Sequence, residues 1–401
     1  MKYRPTIHFC VIQGLYWGCF CIVYAYASVY LLAKGLTSTQ IGYLIAAGSG
    51  LSVIIQPILG AFADRSKKPI LHKLTVGMFL IMIACFVGLF VVENSNSTRV
   101  ILYAILIILL QATTSLTYSL GLFFIDMGLK VNIGIARGMG SLFYAAVSSI
   151  LGVLVVNFNE DVIVIAGIIA FVLLSLSIAT FHFKGVKEVK LFKSEENGKT
   201  RENLSLTEFF ATHKRYTWVL IGNTFAFIAY NYLNSYMFQI VSFHGGTEKD
   251  MGFAISLGAF LELPILFTLT LVNRKLRSGL LYKVSAVVIL LKCVLFMTAM
   301  NMGMIYVAMF TQALGYGLYA GISIYYIANT IENEEQVRGQ ALMTATVTVG
   351  MLVGSGTGGL LIDKGSVPAL LIAAVITALI GAIIICVSAE KGNLQGKAEE
   401  A

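Results

Sequence analysis

Residues 41–68 read IGYLIAAGSGLSVIIQPILGAF (41–62) and then ADRSKK (63–68): an uncharged run of 22 residues closed by one acid and three bases. At 1.5 Å per residue, a helix of about 20 residues crosses a ~30 Å hydrocarbon core. A helix also satisfies its own backbone hydrogen bonds, which lipid cannot do. The stretch therefore predicts a membrane-spanning helix that stops at a charged loop.

The pattern recurs along the chain. Twelve apolar windows are read at 7–33, 41–62, 74–92, 100–125, 136–156, 162–183, 217–243, 251–272, 281–300, 304–328, 339–361 and 367–388. Composition agrees: 58% of the 401 residues are hydrophobic and 12% are charged, against roughly 25% charged in a soluble domain. This excludes a soluble cytosolic enzyme, a secreted disulfide scaffold and a disordered chain. The expected class is an all-α integral membrane protein with 12 transmembrane helices in two six-helix pseudo-symmetric bundles.

The net charge of +8 would suggest a nucleic-acid partner on a soluble protein, but its distribution assigns it to topology. With the N-terminus inside, 23 of the 28 Lys and Arg fall on the inner side and four (Lys34, Arg99, Lys249 and Lys364) on the outer, with Lys292 inside a span. The positive-inside rule then places both termini in the cytoplasm and the chain in a cell membrane as a multi-pass protein. Lys2 and Arg4 before an apolar run faintly resemble a signal peptide, but the run is too long and a second span follows at once. Cys10, Cys19, Cys21, Cys85, Cys293 and Cys386 all lie in apolar stretches without metal-ligand spacing. They read as buried small hydrophobes, and no metal, cofactor or disulfide is expected.

The longest loop, 184–216, carries eight Lys/Arg and five Glu. It divides the chain into an N-terminal bundle (1–183), a cytoplasmic central loop (184–216) with a surface helix near 205–213, a C-terminal bundle (217–390) and a cytoplasmic tail (391–401). The halves echo one another. Asp64-Arg65 and Lys68 align with Asn273-Arg274 and Arg277, and Ala136-Arg137-Gly138 echoes Val337-Arg338-Gly339. Duplicated six-span halves point to a transporter with its site between them.

Three motifs carry a resemblance. Gly60-x-x-x-Asp64-Arg65-x-x-Lys68 resembles the cytoplasmic signature of the major facilitator superfamily. Gly35-Leu36-Thr37-Ser38-Thr39-Gln40-Ile41-Gly42 is similar to that superfamily's lead into span two. Gly134-Ile-Ala-Arg137-Gly-Met-Gly140-Ser141 resembles the start of span five in the branch of lactose permease, phenylpropionate permease and nucleoside symporters. Gly60 would let helices approach. Asp64 could pair with Arg65 or Arg137 as a latch, so Gly60, Asp64, Arg65, Lys68 and Arg137 form a candidate cytoplasmic gate; the alternative for the bases is a plain topology anchor.

Two charges lie near mid-span, Glu262 and Lys292. Each costs roughly 2.5–3.5 kcal/mol on insertion scales, so two at similar depth on consecutive helices suggest a shared cavity or an ion pair. The resemblance implies that Glu262 serves substrate binding and proton coupling, with Lys292 as its partner. Departures are visible: the span-four stretch Tyr118–Phe123 has no acid, and the span-ten Lys-His-Glu relay of lactose permease is missing, so lactose itself is not expected. Span ten instead offers Gln312, Tyr316, Tyr319, Ser323 and Tyr326 at helical spacing. Span seven offers Asn223, Phe227, Asn231, Asn234 and Phe238, and span one Tyr16, Phe20 and Tyr24. Polar groups in lipid must face protein or water. The expected substrate residues are therefore Tyr16, Tyr24, Asn223, Asn231, Asn234, Gln312, Tyr316 and Tyr319, with interhelical packing as the alternative.

The GxGxxG at Gly354–Gly359 lies inside an apolar span with no strand before it, so it reads as a packing face rather than a nucleotide loop. No Walker A, HExxH or G-x-S-x-G is present. The expectation is not an enzyme but a monomeric secondary transporter moving a sugar, nucleoside or aromatic acid across the bilayer by proton symport. A proton-antiporting exporter of drugs or sugars is the alternative.

Overall fold

A computed structural model of the chain describes residues 4–65, 71–92, 95–126, 131–181, 206–332 and 335–390. Their regular elements are all helical. The first half of the chain forms α1 (Arg4–Phe20), a π turn (Cys21–Ala25), α2 (Ala27–Ala33), α3 (Ser38–Arg65), α4 (Leu71–Val91), α5 (Asn96–Asp126), α6 (Ile133–Asn157) and α7 (Asp161–Ala179). The second half forms α8 (Leu206–Thr212), α9 (Lys214–Ser235), α10 (Met237–Phe243), α11 (Glu248–Lys275), α12 (Ser278–Met297), α13 (Met302–Met309), a second π turn (Ala313–Gly317), α14 (Leu318–Thr330) and α15 (Gln336–Ser388). The short α8 lies where the sequence predicts a helix in the central loop.

Among the described residues, ten helices are long and apolar enough to cross a membrane, where the sequence predicts twelve spans. The difference has two physical sources. The expected eleventh and twelfth spans run on as α15, which is broken by Ser366 at φ 75°, two residues before Pro368. The expected seventh span is interrupted at Tyr236 (φ −117°, ψ 23°). Its asparagines Asn223, Asn231 and Asn234 also make it the least apolar of the set. Large apolar side chains such as Ile54, Phe90, Ile150, Ile169, Phe267 and Ile383 are exposed. Apolar patches so extensive need a bilayer to cover them.

The two chain halves repeat one another in detail. Gly35 (φ 84°) and Gly245 (φ 78°) each end a helix in the left-handed region that glycine adopts without strain. Leu36 N–H then donates to the Leu31 carbonyl at 3.0 Å, and Gly246 N–H to the Val241 carbonyl at 2.9 Å. Each turn leads into a capped helix. Thr37 and Gln40 exchange backbone-to-side-chain hydrogen bonds at the start of α3, and Thr247 and Asp250 form a capping box at the start of α11.

Contacts between the halves gather toward the far end, the end that carries residues 34–37 and 244–247. Ser28 Oγ donates to the Ser235 carbonyl (2.9 Å) and Thr39 N–H to Asp363 Oδ2 (2.7 Å), while Ser148 Oγ donates to the Gly252 carbonyl (3.1 Å). Glycines make the approach possible. A Cβ on Gly42 would overlap the Ser355 carbonyl, one on Gly252 the Ser148 carbonyl, and one on Gly359 the Ser38 carbonyl. At the same end Lys34 Nζ lies 3.1 Å from Glu160 and 2.7 Å from Asp161. Burial works against that ammonium, but the two carboxylates outweigh it and hold its pKa above the ordinary lysine value.

Gly350, Gly354 and Gly358 pack as the sequence predicts. A Cβ at these positions would press on Phe227, on Ile228 and Asn231, and on Tyr236. The stripe seats α15 directly on α9 and thereby fixes the asparagine face of α9 beside the centre of the molecule.

Candidate functional site

A central cavity of about 260 Å³ is walled by both halves of the chain. The first half contributes Trp17, Phe20 and Tyr24 from the first helix and its π turn, with Arg137, Ser141 and Tyr144 from α6. The second half contributes Tyr230, Asn231 and Asn234 from α9, Glu262 from α11, Gln312 just before and Tyr316 within the second π turn, and Met351 from α15.

One side of the cavity holds a string of hydrogen bonds. Lys292 Nζ donates to Gln312 Oε1 at 2.6 Å, and Gln312 Nε2 donates to Glu262 Oε1 at 2.7 Å and to Tyr230 Oη at 2.9 Å. Glu262 is 8% exposed and Lys292 is 2% exposed. The sequence brings these two charges together but places them in direct contact or in one cavity without a mediator. The structure inserts the Gln312 amide, whose carbonyl faces the ammonium and whose NH₂ faces the carboxylate. An amide is the one uncharged side chain that answers a donor and an acceptor at once. Two glycines allow the close fit. A Cβ at Gly317 would lie 3.2 Å from Glu262 Cγ, and one at Gly258 3.3 Å from Gln312 Cγ.

The aromatic wall comes in parallel pairs. Tyr230 and Tyr316 stack with centroids 4.9 Å apart at 10°, and Phe20 and Tyr24 at 4.7 Å and 9°. Lys292 Nζ sits 5.4 Å from the Tyr230 ring centroid, a cation–π contact at the edge of the cavity. Across the cavity, the Arg137 guanidinium lies over Trp17, 4.2 Å from the ring centroid. Gly140 leaves the space that Trp17 fills.

Arg137, expected at the cytoplasmic rim as a gating partner of Asp64, also lines the cavity wall, from the second turn of α6. Arg137, Ser141 and Tyr144 recur at i, i+4 and i+7, a legible helical face that the reading of the rim motif concealed. Of the rest of the expected gate, Gly60, Asp64 and Arg65 fall in the last turns of α3, and Lys68 lies outside the described residues.

The expected substrate residues divide. Tyr24, Asn231, Asn234, Gln312 and Tyr316 line the cavity; Tyr16, Asn223 and Tyr319 do not. Tyr16 Oη bonds to the Leu110 carbonyl and Thr114 Oγ1, both at 2.6 Å. Asn223 is held by Tyr319 (3.2 Å), Thr346 (2.6 Å) and Tyr282 (2.7 Å) in a buried cluster of the second half. For Tyr319 the cause is visible in span ten. The π turn at Ala313–Gly317 adds a residue to one turn and rotates all that follows by roughly 100°. Tyr319, Ser323 and Tyr326 thereby leave the face that Gln312 and Tyr316 share.

A second polar cluster was not read from the sequence. Ser49 Oγ bonds to Tyr24 Oη (2.8 Å), to Gln111 Nε2 (2.9 Å) and to Met351 Sδ (3.2 Å), and Gln111 Nε2 also donates to Tyr24 Oη. It links three helices of the first half to α15 at mid-depth. Gln111 is a lone amide in the middle of an apolar span, the kind of residue that lipid makes costly unless it is paired.

Helices that face lipid outward and a shared polar cavity inward, closed toward one end by glycine-to-backbone contacts, define a membrane transporter of the major facilitator type. Solved structures agree. The chain resembles the nucleoside transporter NupG with a TM-score of 0.75 at 13% identity, covering 96% of this chain and 98% of that one. It resembles an auto-inhibited POT family peptide transporter with a TM-score of 0.71 at 9% identity, covering 96% of each chain. A bacterial homologue of the human lysosomal transporter Spinster, inward-facing and unoccupied, matches with a TM-score of 0.59 at 13% identity over 97% of this chain and 95% of that one. A comparison with curated protein sequences gives no match. The MFS_1 like family profile matches residues 11–372, and the chain belongs to that family. It is a multi-pass membrane protein.

Proposed function

We propose that the protein is a proton-coupled symporter that carries a small organic solute of the sugar, nucleoside or aromatic-acid class by alternating access. The observation that carries this reading is the central cavity: both chain halves wall it, ring-bearing and amide side chains line it, and a buried carboxylate, Glu262, stands at its edge. The likeness to a nucleoside transporter and a peptide transporter supports a solute of that size.

In this reading twelve spans form two six-helix bundles, 1–183 and 217–390, counting α15 as two helices about Ser366 and Lys214–Phe243 as one bent span. The 184–216 loop, the 391–401 tail and both termini face the cytoplasm of a cell membrane. The concentration of inter-half contacts at the far end supports a state closed to the outside. The molecule works as a monomer, since each chain supplies both walls of the cavity. Gly60, Asp64, Arg65 and Lys68 form the cytoplasmic latch that must seal when the far end opens.

The test is uptake of radiolabelled solutes from the three classes into proteoliposomes that hold the purified protein. A symporter accumulates one class when the exterior is acidified. A solute that is extruded against its gradient identifies an exporter, and the absence of flux for every class overturns the transport reading.

A further inference from the structure

The two helix starts at the far end are capped differently. α3 and α11 each follow a threonine whose box partner lies three residues on, Gln40 for Thr37 and Asp250 for Thr247. The first turn of α11 carries its own acids, Glu248 and Asp250, whereas that of α3 carries none. A helix start bears partial positive charge and N–H groups without intrahelical partners, so it favours a carboxylate. α3 takes one from the opposite half of the chain: Asp363 Oδ2 accepts the Thr39 N–H at 2.7 Å.

The placement of Asp363 follows from its helix. Ser355, Gly359 and Asp363 recur every four residues on α15 and share one face. The Ser355 carbonyl packs on Gly42, Gly359 on the Ser38 carbonyl, and Asp363 reaches Thr39, so this face runs along the start of α3. The equivalent face of α6 holds Ser148, Gly152 and Val156. There the Ser148 carbonyl packs on Gly252, and Gly152 on the Glu248 and Lys249 backbone at the start of α11. The two seams match at their first two positions and differ at the third, where only Asp363 is an acid. Burial works to raise the Asp363 pKa, but hydrogen bonds from Thr39, Thr37 and Ser38 outweigh it and hold it below the ordinary aspartate value. The group is therefore a carboxylate throughout the physiological range.

We propose that Asp363 is a gating residue: it caps α3 across the seam only while the far end is closed, and so sets the balance between the outside-closed and outside-open states from one seam alone. This rests on the transport reading above, in which the far end faces outward and opens. Thr39 and Asp363 belong to different halves, so opening breaks their bond. The Thr247–Asp250 box lies within the second half and travels with it. Opening therefore removes a charge-assisted hydrogen bond from the α3 seam and leaves the cap of α11 intact. The pseudo-symmetric halves thus carry an asymmetric latch, and a change at position 363 shifts the populations of the two states without touching the cavity.

The experiment introduces Ser235→Cys, on the cavity wall, into the full chain without its native cysteines. It measures alkylation by a membrane-impermeant maleimide added outside intact cells. Asp363→Ala should raise the labelling rate about fivefold, the effect of losing a charged cap at a helix start. Asp363→Asn keeps an acceptor for the Thr39 N–H but loses the charge, and should fall between Asp363→Ala and the parent. Asp250→Ala removes the same kind of cap from α11 within one half. It should lower the melting temperature yet label at the parent rate, a contrast that separates a gate from a cap that only stabilises its helix. Parent-rate labelling in Asp363→Ala, or an equal rise in Asp250→Ala, overturns the assignment. Gly42→Leu, whose side chain would overlap the Ser355 carbonyl, tells the two levels apart. Fast labelling there with parent-rate labelling in Asp363→Ala removes the latch and leaves alternating access standing; parent-rate labelling in both removes the two together.

Discussion

Tyr26 and Tyr236 are counterparts in the two halves of the chain, 210 positions apart. Each interrupts its helix, and each donates its hydroxyl to a mid-helix carbonyl of its own half. Tyr26 Oη reaches the Ser148 carbonyl at 2.5 Å, and Tyr236 Oη reaches the Ser355 carbonyl. Against each of these carbonyls packs a glycine of the opposite half, Gly252 on Ser148 and Gly42 on Ser355. The far end is thus closed by two equivalent clasps, each a tyrosine, a carbonyl and a glycine.

Equivalence makes a quantitative expectation. Tyr26→Phe and Tyr236→Phe each remove one hydrogen bond worth about 1 kcal/mol in a membrane protein. Each should lower the melting temperature by a similar amount. Because each bond lies within one half, it persists whether the far end is closed or open, so the closed-to-open ratio should hold. Alkylation of a single cysteine at Ser235, on the cavity wall, reports that ratio from the external solution in a background without native cysteines, and both variants should label at the parent rate.

The glycines are the more severe test of the same clasps. Gly42→Leu or Gly252→Leu adds a side chain where even a Cβ overlaps backbone, so the far end cannot close. Labelling at Ser235 should rise at least about tenfold. Transport should fall nearly to background, because one of the two states is lost, while binding from the outside survives.

The repeat that produces these clasps was half legible. Aligning Asp64-Arg65 with Asn273-Arg274 gave an offset of 209 residues, within one residue of the spacing of Tyr26 and Tyr236, of Gly35 and Gly245, and of Gly42 and Gly252. Period, length and charge read well because lipid enforces them on every span. Local departures from the α-helix read poorly. The π turns at Cys21–Ala25 and Ala313–Gly317 carry no proline and leave no compositional mark. They nonetheless decide that Tyr24 and Tyr316 face the cavity while Tyr16 and Tyr319 do not. The cavity face of α6 also went unread: the signature around Arg137 drew the reading to the rim alone, although the i+4 and i+7 neighbours, Ser141 and Tyr144, share its face and line the cavity.

Gln312 should matter more to stability than either charge it serves. Gln312→Leu leaves the Lys292 ammonium and the Glu262 carboxylate without their bridge, at about 1–3 kcal/mol for each unsatisfied buried group. The melting temperature should drop by several degrees in detergent. Neutralising both charges in the same background, Gln312→Leu/Glu262→Gln/Lys292→Met, should recover most of the loss, as seen by the same thermal scan.

The latch proposed at the cytoplasmic face predicts a kinetic rather than a binding effect. Asp64→Asn should lower the turnover rate with little change in substrate affinity, since Asp64 ends α3 away from the cavity. Rates and half-saturation concentrations from initial uptake separate the two. Normal turnover in Asp64→Asn would reduce the basic loop to a topology anchor.

The measurement that bears most directly on proton-coupled transport compares two modes of movement in proteoliposomes carrying Glu262→Gln. The substituted side chain resembles the protonated acid permanently. Exchange of labelled for unlabelled solute needs no net proton movement, so it should continue at a rate near that of the wild type. Accumulation driven by an acidic exterior needs Glu262 to release its proton inside, so it should vanish. Loss of both modes would show that Glu262 is required for binding or folding rather than for coupling. Retention of pH-driven accumulation, in Glu262→Gln alone or in Glu262→Gln/Lys292→Met, would contradict the assignment of Glu262 as the proton carrier.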